Sequence, residues 1–126
     1  ILLVWIMPKL QVFSKTKKEN YGIRRHDSYN VIIPYTVVQD LNLRDGAILY
    51  STLSEKTETI RLHTKPLKDS TPVKIRQRLT KVYKSERYYS SKVTIPIEFA
   101  RLLHLKKNDD LGINSNKNTI IIKKIR

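Results

Sequence analysis

The feature that most restricts the fold of this chain is an internal repeat. Val31–Ser51 reads VIIPYTVVQDLNLRDGAILYS and Val93–Ile113 reads VTIPIEFARLLHLKKNDDLGI. A shift of 62 residues places Ile33 on Ile95, Pro34 on Pro96, Val37 on Phe99, Leu41 on Leu103, Leu43 on Leu105 and Leu49 on Leu111 without a gap. A fixed period of this kind means that one supersecondary unit is used twice. In each copy a β-branched strand runs into a proline. Proline lacks an N–H and fixes φ, so it suits a strand exit or a first helical turn. Phe99, Leu102 and Leu103 then recur at three and four residues, which predicts about two turns of helix with one buried face. Leu105 and the polar turn Lys106–Asp110 come next. Leu111 and Ile113 restart an alternating strand, and a last strand, Thr119–Ile125, lies beyond the turn residues Asn114–Asn118.

Upstream of each unit lies a further strand. In Val73–Leu79, Val73 and Ile75 alternate with Lys74, Arg76 and Arg78, the pattern of a half-buried strand with a basic outer face. Its counterpart is Leu10–Thr16, where Leu10 and Val12 fall on Val73 and Ile75 at a shift of 63. The loops after these strands, Lys17–Tyr29 and Tyr83–Ser91, are therefore expected to differ by one residue in length. Thr64–Pro72 has the Pro, Ser and Thr content of a linker. The chain thus divides into an apolar extension over 1–8, a first repeat over 9–63, a linker over 64–72 and a second repeat over 73–126. Each repeat reads strand, basic loop, strand, short helix, strand, turn, strand. About 60 residues make a marginal core alone, so the halves are expected to share one interior. The fold class is mainly β with short helices (α+β), with a pseudo-two-fold.

The net charge is +14, from 25 Lys and Arg against 11 Asp and Glu. A balance this basic calls for a polyanionic partner, nucleic acid first. A merely well-solvated surface needs both signs and a smaller excess. Nor is the excess diffuse. Thr64–Lys92 holds nine basic and two acidic residues, and Lys9–Asn30 six and two, whereas Val31–His63 holds three and four. The candidate nucleic-acid-binding residues are Lys15, Lys17, Lys18, Arg24 and Arg25 in the first copy. In the second they are Lys74, Arg76, Arg78, Lys81, Lys84, Arg87 and Lys92. Tyr21, Tyr88 and Tyr89 are interleaved with them, which suits phosphate pairing with stacking, although each tyrosine equally suits packing over a strand edge.

The pattern VTIPxExxxxLxLKxxDxL, with a hairpin ending in IIIKK after it, resembles the SpoVT-AbrB family of swapped-hairpin proteins. In the second copy it is carried by Val93, Thr94, Ile95, Pro96, Glu98, Leu103, Leu105, Lys106, Asp109 and Leu111. In the first it is carried by Val31, Ile33, Pro34, Leu41, Leu43, Gly46 and Leu49. The resemblance implies a tandem swapped-hairpin, AbrB-like β-barrel, closed within one chain as a monomeric pseudo-dimer or assembled as a homodimer. It also implies DNA binding through Arg24, Arg25, Arg76, Arg78, Arg87 and Lys92. Where the family often has Gly-Arg before the strand, this chain has Ser91-Lys92 and Tyr29-Asn30. Lysine forfeits the two-pronged fit to guanine and asparagine forfeits charge, which leaves phosphate contact in place of base reading.

These features point to a non-enzymatic nucleic-acid-binding protein, a transcription regulator or chromatin-type factor on double-stranded DNA first. The alternative is an RNA-binding structural component of the ribosome on structured RNA. The carboxylates are scattered, with no nucleophile–base pairing and no Gly-rich phosphate loop, so catalysis is not expected. No cofactor is expected. There is no cysteine, and His26, His63 and His104 lack ligand spacing. No apolar run approaches the ~20 residues of a membrane span, and a cytoplasmic, nucleoid- or ribosome-associated location is expected. Ile1–Ile6 is too short for a signal h-region. Either the true start is Met7, or these six residues form an extra edge strand or an anchor into a protein neighbour.

Overall fold

The computed structural model describes residues 10–19 and 22–125, and within these the side chains of all but 13–26. Ile1–Ile6 and Tyr21 lie outside the described residues. The elements are β1 (Gln11–Glu19), β2 (Gly22–Ile33), α1 (Tyr35–Asp40), β3 (Ile48–Ser54), β4 (Thr59–His63), β5 (Thr71–Tyr83), β6 (Glu86–Ile95), α2 (Ile97–Leu102), β7 (Leu111–Asn116) and β8 (Thr119–Lys124). The order β-β-α-β-β therefore occurs twice. All eight strands join one antiparallel sheet in the order β1-β2-β6-β5-β3-β4-β8-β7. The sheet curls until its ends touch, with Leu10 N–H donating to Asp109 O at 2.9 Å and Asn108 N–H to Leu10 O at 3.0 Å.

Neither half is a sheet by itself. β2 pairs with β6, β3 with β5 and β4 with β8, each contact crossing from one half to the other. The core is shared in the same way. Leu10, Val31, Ile75, Val93, Ile113 and Ile120 are all fully buried in one cluster that draws on both halves. Alternation along each strand puts these side chains on the inner face of the curl. The two short helices cap it with Val37, Val38 and Ala100, which are also buried.

Each helix starts behind its proline and ends identically. Asn42 and His104 take positive φ (51° and 52°) one residue past Leu41 and Leu103. Leu43 N–H then bonds Val38 O, and Leu105 N–H bonds Ala100 O. With Asn42 N–H on Gln39 O and His104 N–H on Arg101 O, this is a Schellman closure in both copies. Gly46 and Asn108, also 62 apart, share positive φ again (83° and 68°).

Three expectations need correction. The segments read as basic loops, Lys17–Tyr29 and Tyr83–Ser91, are mostly strand. They form antiparallel ribbons, paired out to Glu19↔Gly22 and Tyr83↔Glu86. β5 begins at Thr71, so the last two residues read as linker are already strand. Finally, β1 and β5 correspond at a shift of 65, not 63. Gln11 pairs with Asn30 as Arg76 pairs with Lys92, and Leu10 meets 108–109 as Ile75 meets 46–47. A period-two pattern does not distinguish registers two residues apart, because both keep the same face inward.

Candidate nucleic-acid interface

β5 has Val73 and Ile75 buried and Lys74, Arg76 and Arg78 exposed on the outer face of the sheet. Across the ladder Arg76 stands opposite Lys92 and Arg78 opposite Ser90. Directly opposed residues in an antiparallel pair share a face, with Cβ atoms about 5 Å apart, and like charges in that relation repel. An anion lying across the pair is attracted by both charges. A groove of about 510 Å³ runs along this face, lined among others by Gln11, Ile32, Arg76, Arg78, Ser90 and Lys92.

Beyond Leu79 the register shifts by one residue, so that Leu79 faces Tyr89 but Lys81 faces Tyr88. Thr80 is the extra residue, and its hydroxyl donates to Tyr88 O at 3.1 Å. Such a bulge re-aims the residues beyond it. Without it, Lys81 would share the parity of Ile75 and point inward. With it, Lys81 joins Arg76 and Arg78 on the outer face, and so does Tyr83. The Lys81 Nζ and Lys84 Nζ each lie 5.4 Å from the centre of the Tyr83 ring. Lys84 and Ser85 close the ribbon with φ of 47° and 66°, the paired positive values of a type I′ turn.

Lys74, Arg76, Arg78, Lys81 and Lys92 thus converge on one face. Lys84 sits at the tip. Arg87 does not join them, since it pairs with Val82 on the opposite face of the ribbon. There it lines a recess with Tyr35 and Tyr89, which Tyr88, on the outer face opposite Lys81, borders from the edge of the ribbon. Lys15, Lys17 and Lys18 lie in β1 and Arg24 and Arg25 in β2, with Lys17 opposite Arg24 and Lys15 opposite His26; their side chains are outside the described residues. The first half supplies no copy of the Arg76–Lys92 pair. At the equivalent positions stand Gln11 and Asn30, and Asn30 is buried, accepting from Thr94 Oγ1 at 2.7 Å.

Sequence reasoning overlooked Tyr35, Gln77 and Ser90 as surface-forming residues here. Only Tyr35 carried a signal, a large aromatic at the first position of a short helix. It is 67% exposed, and its hydroxyl accepts from Gln39 Nε2 at 2.6 Å. The Tyr88 hydroxyl donates to Glu86 Oε2 at 2.8 Å. That bond, more than burial or nearby Tyr35, holds its ionisation above the usual tyrosine value. Among the described residues no group of three or more His, Asp or Glu side chains is placed to hold a metal ion. Among them, too, no helix is long and apolar enough to cross a membrane.

No protein-family description, curated protein or solved structure matches this chain.

Proposed function

We propose that this chain is a non-enzymatic nucleic-acid-binding protein that takes DNA ahead of RNA. Lys74, Arg76, Arg78, Lys81 and Lys92 contact phosphates from the outer face of β5 and β6. The observation that carries the reading is the cross-strand register of Arg76 on Lys92, two cations held side by side within a longer cationic row. The AbrB-like, swapped-hairpin description of the sheet belongs to the same proposal. It is supported by the twice-used β-β-α-β-β order and by the pairings of β2 with β6, β3 with β5 and β4 with β8 across the halves. A single chain then serves as a pseudo-dimer, working as a regulator or chromatin-type factor at the nucleoid. A ribosomal, RNA-binding role is the second reading, favoured by the uncharged, buried Asn30 where the first copy would carry a base-reading cation.

Phosphate contacts release counterions, so log K against log salt should fall with a slope of roughly −3 to −4.5 for three to five neutralised phosphates. Titration of labelled duplex DNA at several salt concentrations measures it. Replacing Lys74, Arg76 and Arg78 together with Ala should weaken binding by well over an order of magnitude and flatten the slope. Unchanged affinity in that variant overturns the assignment of the face. Ribosomal RNA co-purifying in place of DNA decides for the second reading.

A further inference from the structure

Past Gln77 the β5–β6 hairpin leaves the sheet. β3 pairs with β5 only through Lys74, and β2 pairs with β6 only from Ser91 onward. From Arg78 to Ser90, among the described residues, the ribbon is therefore two strands wide, on the order of 5 Å between strand axes. Its outer face carries the cations. Toward α1 the ribbon borders a recess of about 540 Å³, with Gln77, Glu86, Arg87, Tyr35, Tyr88 and Tyr89 around it. The three tyrosines are 67%, 44% and 49% exposed in the order Tyr35, Tyr88, Tyr89. The Tyr35 and Tyr88 hydroxyls are tied to Gln39 and Glu86, which restricts where those rings stand. Gln77 borders both the recess and the outer groove, and Tyr88 stands opposite Lys81 in the ladder. The two sites therefore adjoin at the edge of the ribbon.

We infer that this recess takes an unpaired base of the same strand whose phosphates lie on the outer-face cations, so that the protein prefers single-stranded DNA to the duplex. The inference rests on the nucleic-acid reading above and adds what that reading leaves open, because phosphate contacts alone do not distinguish paired from unpaired strands. Two physical reasons favour the single strand. Exposed aromatic rings beside cations stack on any base whose face is free, and a duplex offers none along its length. Reaching both sides of a ribbon this narrow also requires a sharp turn around its edge. Duplex DNA, with a persistence length of about 50 nm, resists that turn. Arg87 adds a positive charge at the recess, next to the backbone of the inserted nucleotide, and the Gln77 amide and Glu86 carboxylate offer hydrogen bonds to a base edge.

The test compares a labelled oligothymidylate with a duplex of the same length, binding to the whole chain at one salt concentration. The single strand should bind about tenfold tighter or more. Tyr35→Ala, Tyr88→Ala and Tyr89→Ala combined should remove most of that advantage while leaving duplex affinity within about twofold. The corresponding Phe variant keeps the rings and should keep the advantage, and the retained duplex affinity of the Ala variant shows that its loss is not a folding defect. Equal or tighter binding of duplex, or an Ala variant that weakens both ligands alike, overturns the recess as a base site while the Lys74/Arg76/Arg78 variant still reports on the phosphate face. If neither oligonucleotide binds, this inference falls together with the reading it rests on.

Discussion

His104 occupies a left-handed backbone position that glycine adopts without cost, and it does so at a helix end where its backbone carbonyl also accepts from Lys124 Nζ at 3.0 Å. Because the Schellman closure is made by backbone groups, His104→Gly should keep it. Relief of the Cβ strain should raise stability by roughly 0.5–1 kcal/mol, read as a higher denaturant midpoint with unchanged slope. Asn42→Gly, starting from a residue that tolerates this conformation better, should gain less. His63 behaves differently. Its Nε2 lies 3.0 Å from Thr52 Oγ1 across the sheet. Burial, and then the Arg61 charge, hold it below the ordinary imidazole value of 6.5. The unfolded chain therefore takes up a proton near 6.5 while the folded chain still resists. Stability from this residue is complete above that pH and declines as pH falls below it. His63→Gln should flatten the dependence of melting temperature on pH just below neutrality, and a slope as steep as the parent's would show that other groups carry it.

At the scale of an element, the β5–β6 ribbon carries one inserted residue. Deleting Thr80 should restore a regular ladder and leave Lys81 and Tyr83 on the outer face, because Lys81 then follows Leu79 directly and keeps Tyr88 as its partner. Nucleic-acid affinity and the melting temperature of the core should then stay nearly unchanged, since the cations keep their face and both faces of the ribbon are exposed from Arg78 to Tyr89; a several-fold loss of affinity would show that the bulge itself shapes the binding face. The run from Tyr83 to Ser91 looks like a loop in sequence because it lacks apolar alternation. That alternation is produced by burial, and this hairpin has no core beneath it. What holds it in register is the ladder itself and a turn that Lys84 and Ser85 close with positive φ. Neither residue is a customary choice there, so the turn was not legible.

Across the whole molecule the two halves repeat one order of elements but differ in charge at the groove. Arg76, Arg78 and Lys92 have Gln11, Phe13 and Asn30 at the equivalent places, so one half presents the cationic groove and the other a buried Asn30–Thr94 hydrogen bond. Among the described residues the Arg76–Lys92 groove has no counterpart at Gln11 and Asn30, so one nucleic-acid segment is expected at this place, not two related by the pseudo-two-fold. Gln11 is exposed and borders the groove. Gln11→Arg should therefore strengthen binding and steepen the salt slope by up to about one, measured in the same titrations; a slope that does not change would place the bound strand elsewhere.

The repeat, the proline-led helices after Ile33 and Ile95, the alternating core strands and the basic outer face of β5 were all determined by sequence, because each depends on residues close together in the chain. Local spacing decides which way a side chain points and where a helix ends. Registers between distant strands are another matter. Only the folded molecule decided that Arg76 faces Lys92, that β1 is displaced by two residues relative to β5, that Thr80 swings Lys81 into line, and that Tyr35 meets Tyr88 and Tyr89. The first and third of these come from the β5–β6 hairpin and its bulge, the others from closing a single sheet across both halves, and a pattern of period two is blind to the difference.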